Sequence, residues 1–77
     1  MTYDDTCDAV GLLCPLPVLR ARKRLLGMET GQILKLIADD PAAIIDVPHF
    51  CAEAGHVFFG SEDVENATAY FIKRGEK

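Results

Sequence analysis

Gly11-Leu12-Leu13-Cys14-Pro15-Leu16-Pro17, followed by Val18-Leu19-Arg20-Ala21-Arg22-Lys23-Arg24-Leu25-Leu26-Gly27, is the stretch from which the rest can be read. A cysteine and two prolines stand directly before a run with helical periodicity. At 100° per residue, Val18, Leu19, Ala21, Leu25 and Leu26 gather on one side. Arg20, Lys23 and Arg24 fall away from that stripe, and Arg22 falls near its middle, where it is expected to snorkel from the edge of the apolar face. Gly27 stops the helix.

Upstream, Tyr3 to Ala9 alternates, with Tyr3, Cys7 and Ala9 on one face and Asp4, Thr6 and Asp8 on the other, which predicts a first strand. Downstream, Gln32 to Ala38 is apolar on both faces except for Lys35 and predicts a central second strand. Asp40 caps a second helix with Pro41 in its first turn. That helix runs from Ala42 to Ala54, is kinked or split by Pro48, and ends at Gly55. His56 to Phe59 reads as a third strand, Gly60 to Asn66 as a polar turn, and Ala67 to Lys73 as a fourth strand paired with the third. The tail Arg74 to Lys77 is expected to fray. The order β-α-β-α-β-β predicts an α+β fold. Its economical form is a two-layer α/β sandwich, a four-stranded mixed sheet with two helices on one face.

The whole chain has 77 residues, which is the size of a single domain. Hydrophobic residues make up 49% and charged residues 26%, proportions of a globular chain and not of a disordered one. No apolar run approaches the roughly 20 residues that span a bilayer. The start, Met1-Thr2-Tyr3-Asp4-Asp5, has no basic or apolar leader, so a cytoplasmic location is expected. The 8 basic and 12 acidic residues leave a net charge of −4, which disfavours direct binding to a nucleic-acid backbone.

Three cysteines, Cys7, Cys14 and Cys51, are an odd number at irregular spacing and do not make a disulfide framework. Cys7 lies on the inner face of the first strand and Cys51 beside Phe50, so both are read as core residues. Cys14 is different. Pro15 pushes it toward the extended geometry of a helix cap, and Pro15 and Pro17 then occupy the first and third helical positions. On this reading the Leu16 N–H points at the cap sulfur, the helix dipole favours a thiolate, and the thiol pKa falls from about 8.5 toward 7 or below. The prolines also stiffen the tip. A hydrolase would want a histidine beside the nucleophile, but His49 and His56 fall around the far end of the second helix. No Cys-x-x-Cys, metal-ligand spacing or phosphate loop is present, so no metal or cofactor is expected.

These residues resemble a known family. Gly11 to Pro17 with Arg22-Lys23 is similar to the signature of the TusA/SirA-like small sulfur carriers, whose Cys-Pro-x-Pro motif opens the first helix. Ala38-Asp39-Asp40-Pro41, Asp46-Val47-Pro48 and Phe50-Cys51 resemble the family's second block. Gly55-His56 and Tyr70-Phe71-Ile72-Lys73 resemble its closing strands. The resemblance implies that Cys14 carries sulfur as a persulfide, with Pro15 and Pro17 as supporting residues. It implies loading by a cysteine desulfurase or a rhodanese-type donor and delivery to a DsrE-like or other acceptor protein. Destinations in the family include tRNA 2-thiouridine, molybdenum-cofactor enzymes and sulfur oxidation. A lone thiol suits such chemistry, because a neighbouring thiol would release the sulfur as sulfide. Arg22 and Lys23 match the family pattern and are expected to dock a partner. The chain alone is expected to be a monomer. Two other classes compete: a regulatory or nucleic-acid-binding module, supported by the Arg20–Arg24 cluster, and a redox sensor in which Cys14 pairs with Cys7 or Cys51.

Overall fold

The computed structural model describes residues 2–76. The elements follow in the order β1 (Asp5–Asp8), α1 (Leu16–Leu26), β2 (Ile33–Ala38), α2 (Ala43–Ala54), β3 (Val57–Val64) and β4 (Ala67–Lys73). They form a four-stranded sheet of order β1-β2-β4-β3. β1 and β2 are parallel, and the pairs β2/β4 and β3/β4 are antiparallel. The α+β sandwich expected from the sequence is the fold observed. A parallel pair needs a crossover, which α1 supplies; β3 and β4 are antiparallel neighbours joined by a tight turn.

The register decides which side chains share a face. Cys7 pairs with Leu36, Leu36 with Tyr70, and Leu34 with Ile72, so these residues point to the helix side. There they pack with Ala21 and Leu25 of α1 and Val47 and Cys51 of α2 in one buried cluster. On the other sheet face, Tyr3 lies over Phe71 with ring centroids 6.4 Å apart, and the Lys35 ammonium lies 4.9 Å from the Tyr3 ring. Phe71 is thereby only 2% exposed although no helix covers it. β4, an inner strand, is buried at four consecutive positions, Ala69 to Ile72.

Several boundaries differ from those expected. The first strand spans only Asp5–Asp8; Tyr3 contributes through its ring instead. The stretch from Gly60 to Val64 is not a turn but continues β3, with Ser61, Glu62 and Asp63 paired to Tyr70, Ala69 and Thr68. β3 is an edge strand, where polar side chains reach water and guard the open ladder, so the strand lacks an apolar signature. A bulge between Phe58 and Gly60 shifts its register, and the turn itself is Glu65-Asn66, with Glu65 at φ 47.

α2 is not split by Pro48. The bond that proline cannot donate would go to the carbonyl of Ile44, a residue 62% exposed on the water side of the helix. The helix begins at Ala43, later than the sequence suggests. Asp40 closes the preceding turn, its carboxylate accepting from Ala42 N–H at 3.2 Å and its carbonyl from Ala43 N–H at 3.0 Å.

α1 buries a narrower stripe than its periodicity predicts. Pro17, Ala21 and Leu25 are buried at spacing four, while Leu19 and Leu26 are exposed. Arg22 is exposed, beside a buried face centred on the small Ala21.

The tail is held where fraying was expected. Arg74 Nε donates to Leu25 O at 2.7 Å, Arg74 N–H to Gln32 O at 2.8 Å, and Gly75 N–H to His56 Nδ1 at 2.9 Å. Lys77, the last residue of that tail, lies outside the described residues.

Candidate functional site

Because β1 and β2 run parallel and each leads into a helix, both helices start at the same end of the sheet. Cys14 lies at that end, on the connection between β1 and α1, and is exposed. Cys7 and Cys51 are free and buried in the core, as the sequence suggests. Burial pushes the Cys51 thiol up to about 11, and it pushes Cys7 up as well. Both are inert by comparison with an accessible thiol.

Cys14 is not the helix cap. α1 begins at Leu16, Pro15 holds the cap position, and Pro17 is the second helical residue. The Pro15 carbonyl accepts the Leu19 N–H at 3.1 Å, as a cap carbonyl does. The Leu16 N–H goes to the Leu13 carbonyl at 2.8 Å and not to the sulfur. Since Pro15 and Pro17 have no N–H, the expected donor to a thiolate is already engaged. The Cys14–Pro15 peptide is cis.

The thiol's electrostatics are the reverse of those expected. The Asp46 carboxylate, which favours the protonated form, is the main cause that pushes the Cys14 thiol above its ordinary value. Partial desolvation and the charges of Asp46 and Asp40 push the same way. A nearby negative charge favours the neutral thiol over the thiolate. Asp46 stands in the first turn of α2. Asp40 was legible as a helix-start residue and Asp46 only as part of the resemblance, but their convergence on Cys14 was not legible. What could have pointed to it is their place just after the second of two parallel strands, where open α/β sheets gather their functional groups.

The surroundings of Cys14 are also apolar. Leu13 on its own connection is 68% exposed and Leu16, the first residue of α1, 47%, and Ile44 and Ile45 are exposed on the first turn of α2. Leu16, Leu19, Arg20 and Lys23 line a shallow groove between α1 and β1. Arg22 and Lys23 are both exposed on α1. Arg24 is engaged otherwise. It pairs with Asp5 at 3.1 Å and donates to Thr6 O at 2.8 Å, and this ion pair holds the Asp5 carboxyl below its usual range.

Neither histidine serves Cys14. His49 pairs with Glu53 on the same helix, 2.6 Å away. His56 packs against Phe50 and accepts the Gly75 N–H, and burial with the Arg74 charge holds its pKa down. Among the described residues, no group of three His, Cys, Asp or Glu side chains converges as metal ligands would. No helix among them is long and apolar enough to cross a membrane.

An exposed thiol at the helix-start end of this sandwich is the arrangement the Cys-Pro-x-Pro resemblance implies. Among solved structures, the chain is similar to a SirA-like protein from Desulfitobacterium hafniense. The two share 27% identity and a TM-score of 0.81, over 95% of this chain and 100% of that one. The family model for sulfurtransferase TusA matches residues 5–74, from the start of β1 to just past β4, and so this chain belongs to the TusA sulfurtransferase family.

Proposed function

We propose that the chain is a sulfur carrier that accepts sulfane sulfur as a persulfide on Cys14 and passes it to a partner protein. The observation that carries this reading is that Cys14 is the exposed one of three free cysteines. In loading, the Cys14 sulfur attacks the outer sulfur of a persulfide on the donor. The new S–S bond forms on Cys14, the donor's S–S bond breaks, and the donor cysteine leaves as a thiolate. The proton given up by Cys14 ends on that thiolate, so no oxidant or reductant is consumed. Delivery repeats the exchange, with an acceptor thiolate attacking the outer sulfur.

Pro15 and Pro17 support the motif by fixing the entry of α1, and Pro17 does so from within the core. The donor is a cysteine desulfurase or rhodanese-type enzyme and the acceptor a DsrE-like or other protein, in a cytoplasmic relay. Arg22 and Lys23, exposed on the helix that Cys14 precedes, meet acidic groups of one of these partners. The redox-sensor reading is less favoured, because Cys7 and Cys51 both sit in the core.

The test is loading. Incubated with a cysteine desulfurase and cysteine, the chain should gain the mass of one sulfur at Cys14, read by mass spectrometry of the intact protein and its peptides. A Cys14→Ser chain that still loaded fully would sink the assignment.

A further inference from the structure

Two consecutive aspartates follow β2, and each reaches across to the connection that bears Cys14. Asp39 Oδ1 accepts the Gly11 N–H at 2.9 Å. Asp40 Oδ2 accepts the Cys14 N–H at 2.6 Å, while its other oxygen accepts the Ala42 N–H. One carboxylate therefore bridges the reactive connection to the start of α2. Carboxylate bonds to backbone N–H groups are among the strong ones, and this one is short.

The bond is not part of any helix or ladder. α1 starts at Leu16, so the Cys14 N–H lies outside it and in an exposed connection would otherwise go to water. The bond matters because of what it places together. The charged groups that bear on the thiol are Asp46 on α2 and Asp40 itself, and no cation among the described residues does. Asp46 projects from the very turn to which Asp40 ties the Cys14 main chain.

We infer that Asp40 is a positioning residue of the sulfur site: its carboxylate holds the Cys14 main chain against the start of α2, and so fixes both the direction in which Sγ leaves the connection and its nearness to Asp46. The inference rests on Cys14 being the reacting sulfur. A displacement of the attacking atom by about 1 Å is enough to cost roughly 100-fold in rate. An exposed connection with no side chain anchoring it would not hold Sγ to that tolerance.

The test uses Asp40→Ser in the full chain. Serine keeps one short acceptor for the Ala42 N–H but cannot also reach Cys14, so it separates the start of α2 from the bridge. The variant should melt cooperatively. Its Cys14 alkylation midpoint should move down toward that of a free cysteine, and further than in Asp40→Asn, which removes the charge but keeps an acceptor, since in the serine variant the thiol also leaves Asp46. Sulfur loading should slow by about tenfold or more. A folded Asp40→Ser chain with the wild-type midpoint and loading rate would overturn the inference. Should that variant not fold, the wild-type chain answers by NMR. The Cys14 amide proton should resonate well downfield, as an N–H bonded to a carboxylate does, and should move upfield in Asp40→Asn, whose amide oxygen is a weaker acceptor. A Cys14 amide with the same chemical shift in both chains would equally overturn it. A wild-type chain that takes up no sulfur would refute the carrier reading, while the alkylation midpoint and the amide shift would still decide the role of Asp40.

Discussion

The guanidinium of Arg74 donates to the carbonyl of Leu25, 2.7 Å away, and so ties the residue after β4 to the last turn of α1. The same side chain donates to the Gly75 carbonyl at 2.9 Å. Carbonyls of a helix's last turn have no partner within the helix, and here a cation placed at the negative end of the dipole supplies one. Arg74→Ala should cost about 1–3 kcal/mol, the range for hydrogen bonds to charged groups. Thermal or urea unfolding would measure the loss. At temperatures where the variant is folded, sulfur loading should be unchanged.

The backbone next to Arg74 admits no side chain. A Cβ built on Gly75 would stand 1.7 Å from the carbonyl oxygen of Gly55, whereas one on Gly27 would have its nearest neighbour at 3.6 Å. Gly75→Ala should therefore destabilise by about 1–3 kcal/mol as the closing segment is pushed off α2's end, and Gly27→Ala should be far milder. Comparing the two melting temperatures against wild type checks the contrast. Equal melting temperatures would mean that Gly75 yields without strain.

Titration of Cys14 offers a test of the carboxylates. The Asp46 and Asp40 carboxylates favour the protonated thiol, so the alkylation midpoint should lie above that of an unperturbed cysteine. Removing the charge in Asp46→Asn should lower it. Below the midpoint the thiolate fraction rises about tenfold for each unit by which the pKa falls, so alkylation at neutral pH should speed up accordingly. An Asp46→Asn profile identical to wild type would show that this carboxylate does not bear on the sulfur.

Cys7→Ser and Cys51→Ser should both load sulfur at Cys14. Each should lose stability, by about 1–3 kcal/mol, because the hydroxyl is buried among apolar partners. Loading that vanished in a folded Cys51→Ser chain would point to a second functional thiol.

Charge reversal at Arg22 and Lys23 together should leave the circular dichroism spectrum and Cys14 alkylation nearly unchanged. It should slow sulfur exchange with the physiological partner, most at low salt, where exposed charges are least screened. Equal exchange rates at low ionic strength would leave these residues as an ordinary polar helix face.

How much of this was legible beforehand follows from what each signal depends on. Helix α1, strand β2, strand β4 and the burial of Cys7 and Cys51 were readable because apolar spacing reports a buried face directly. β3 was half missed because Ser61, Glu62 and Asp63 form an edge whose polarity looks like a turn. Cys14 was readable as the accessible thiol from the prolines beside it. Its protonation was not legible, because a helix start next to the thiol says nothing of carboxylates remote in sequence. The deciding groups, Asp40 on the connection between β2 and α2 and Asp46 on α2, are remote in sequence and are brought near by the parallel crossover. Arg74 was taken as tail for a similar reason: its partner, Leu25, is remote in sequence.

The parallel pairing of β1 with β2 has a further consequence for how the protein can change over time. It collects the connections that end in Cys14 and Asp40 at one end of the sheet and leaves Gly27 to Gln32 and the Arg74–Gly75 clasp at the other. The molecule is 31 Å in its longest dimension, so the two ends share few partners. Substitutions at well-separated positions add nearly independently. Mutations at the clasp end can thus raise or lower thermal resistance without altering reactivity, and mutations around the thiol can retune partner choice without spending fold stability. Descendants of such a chain can exchange one sulfur partner for another while the framework stays as it is.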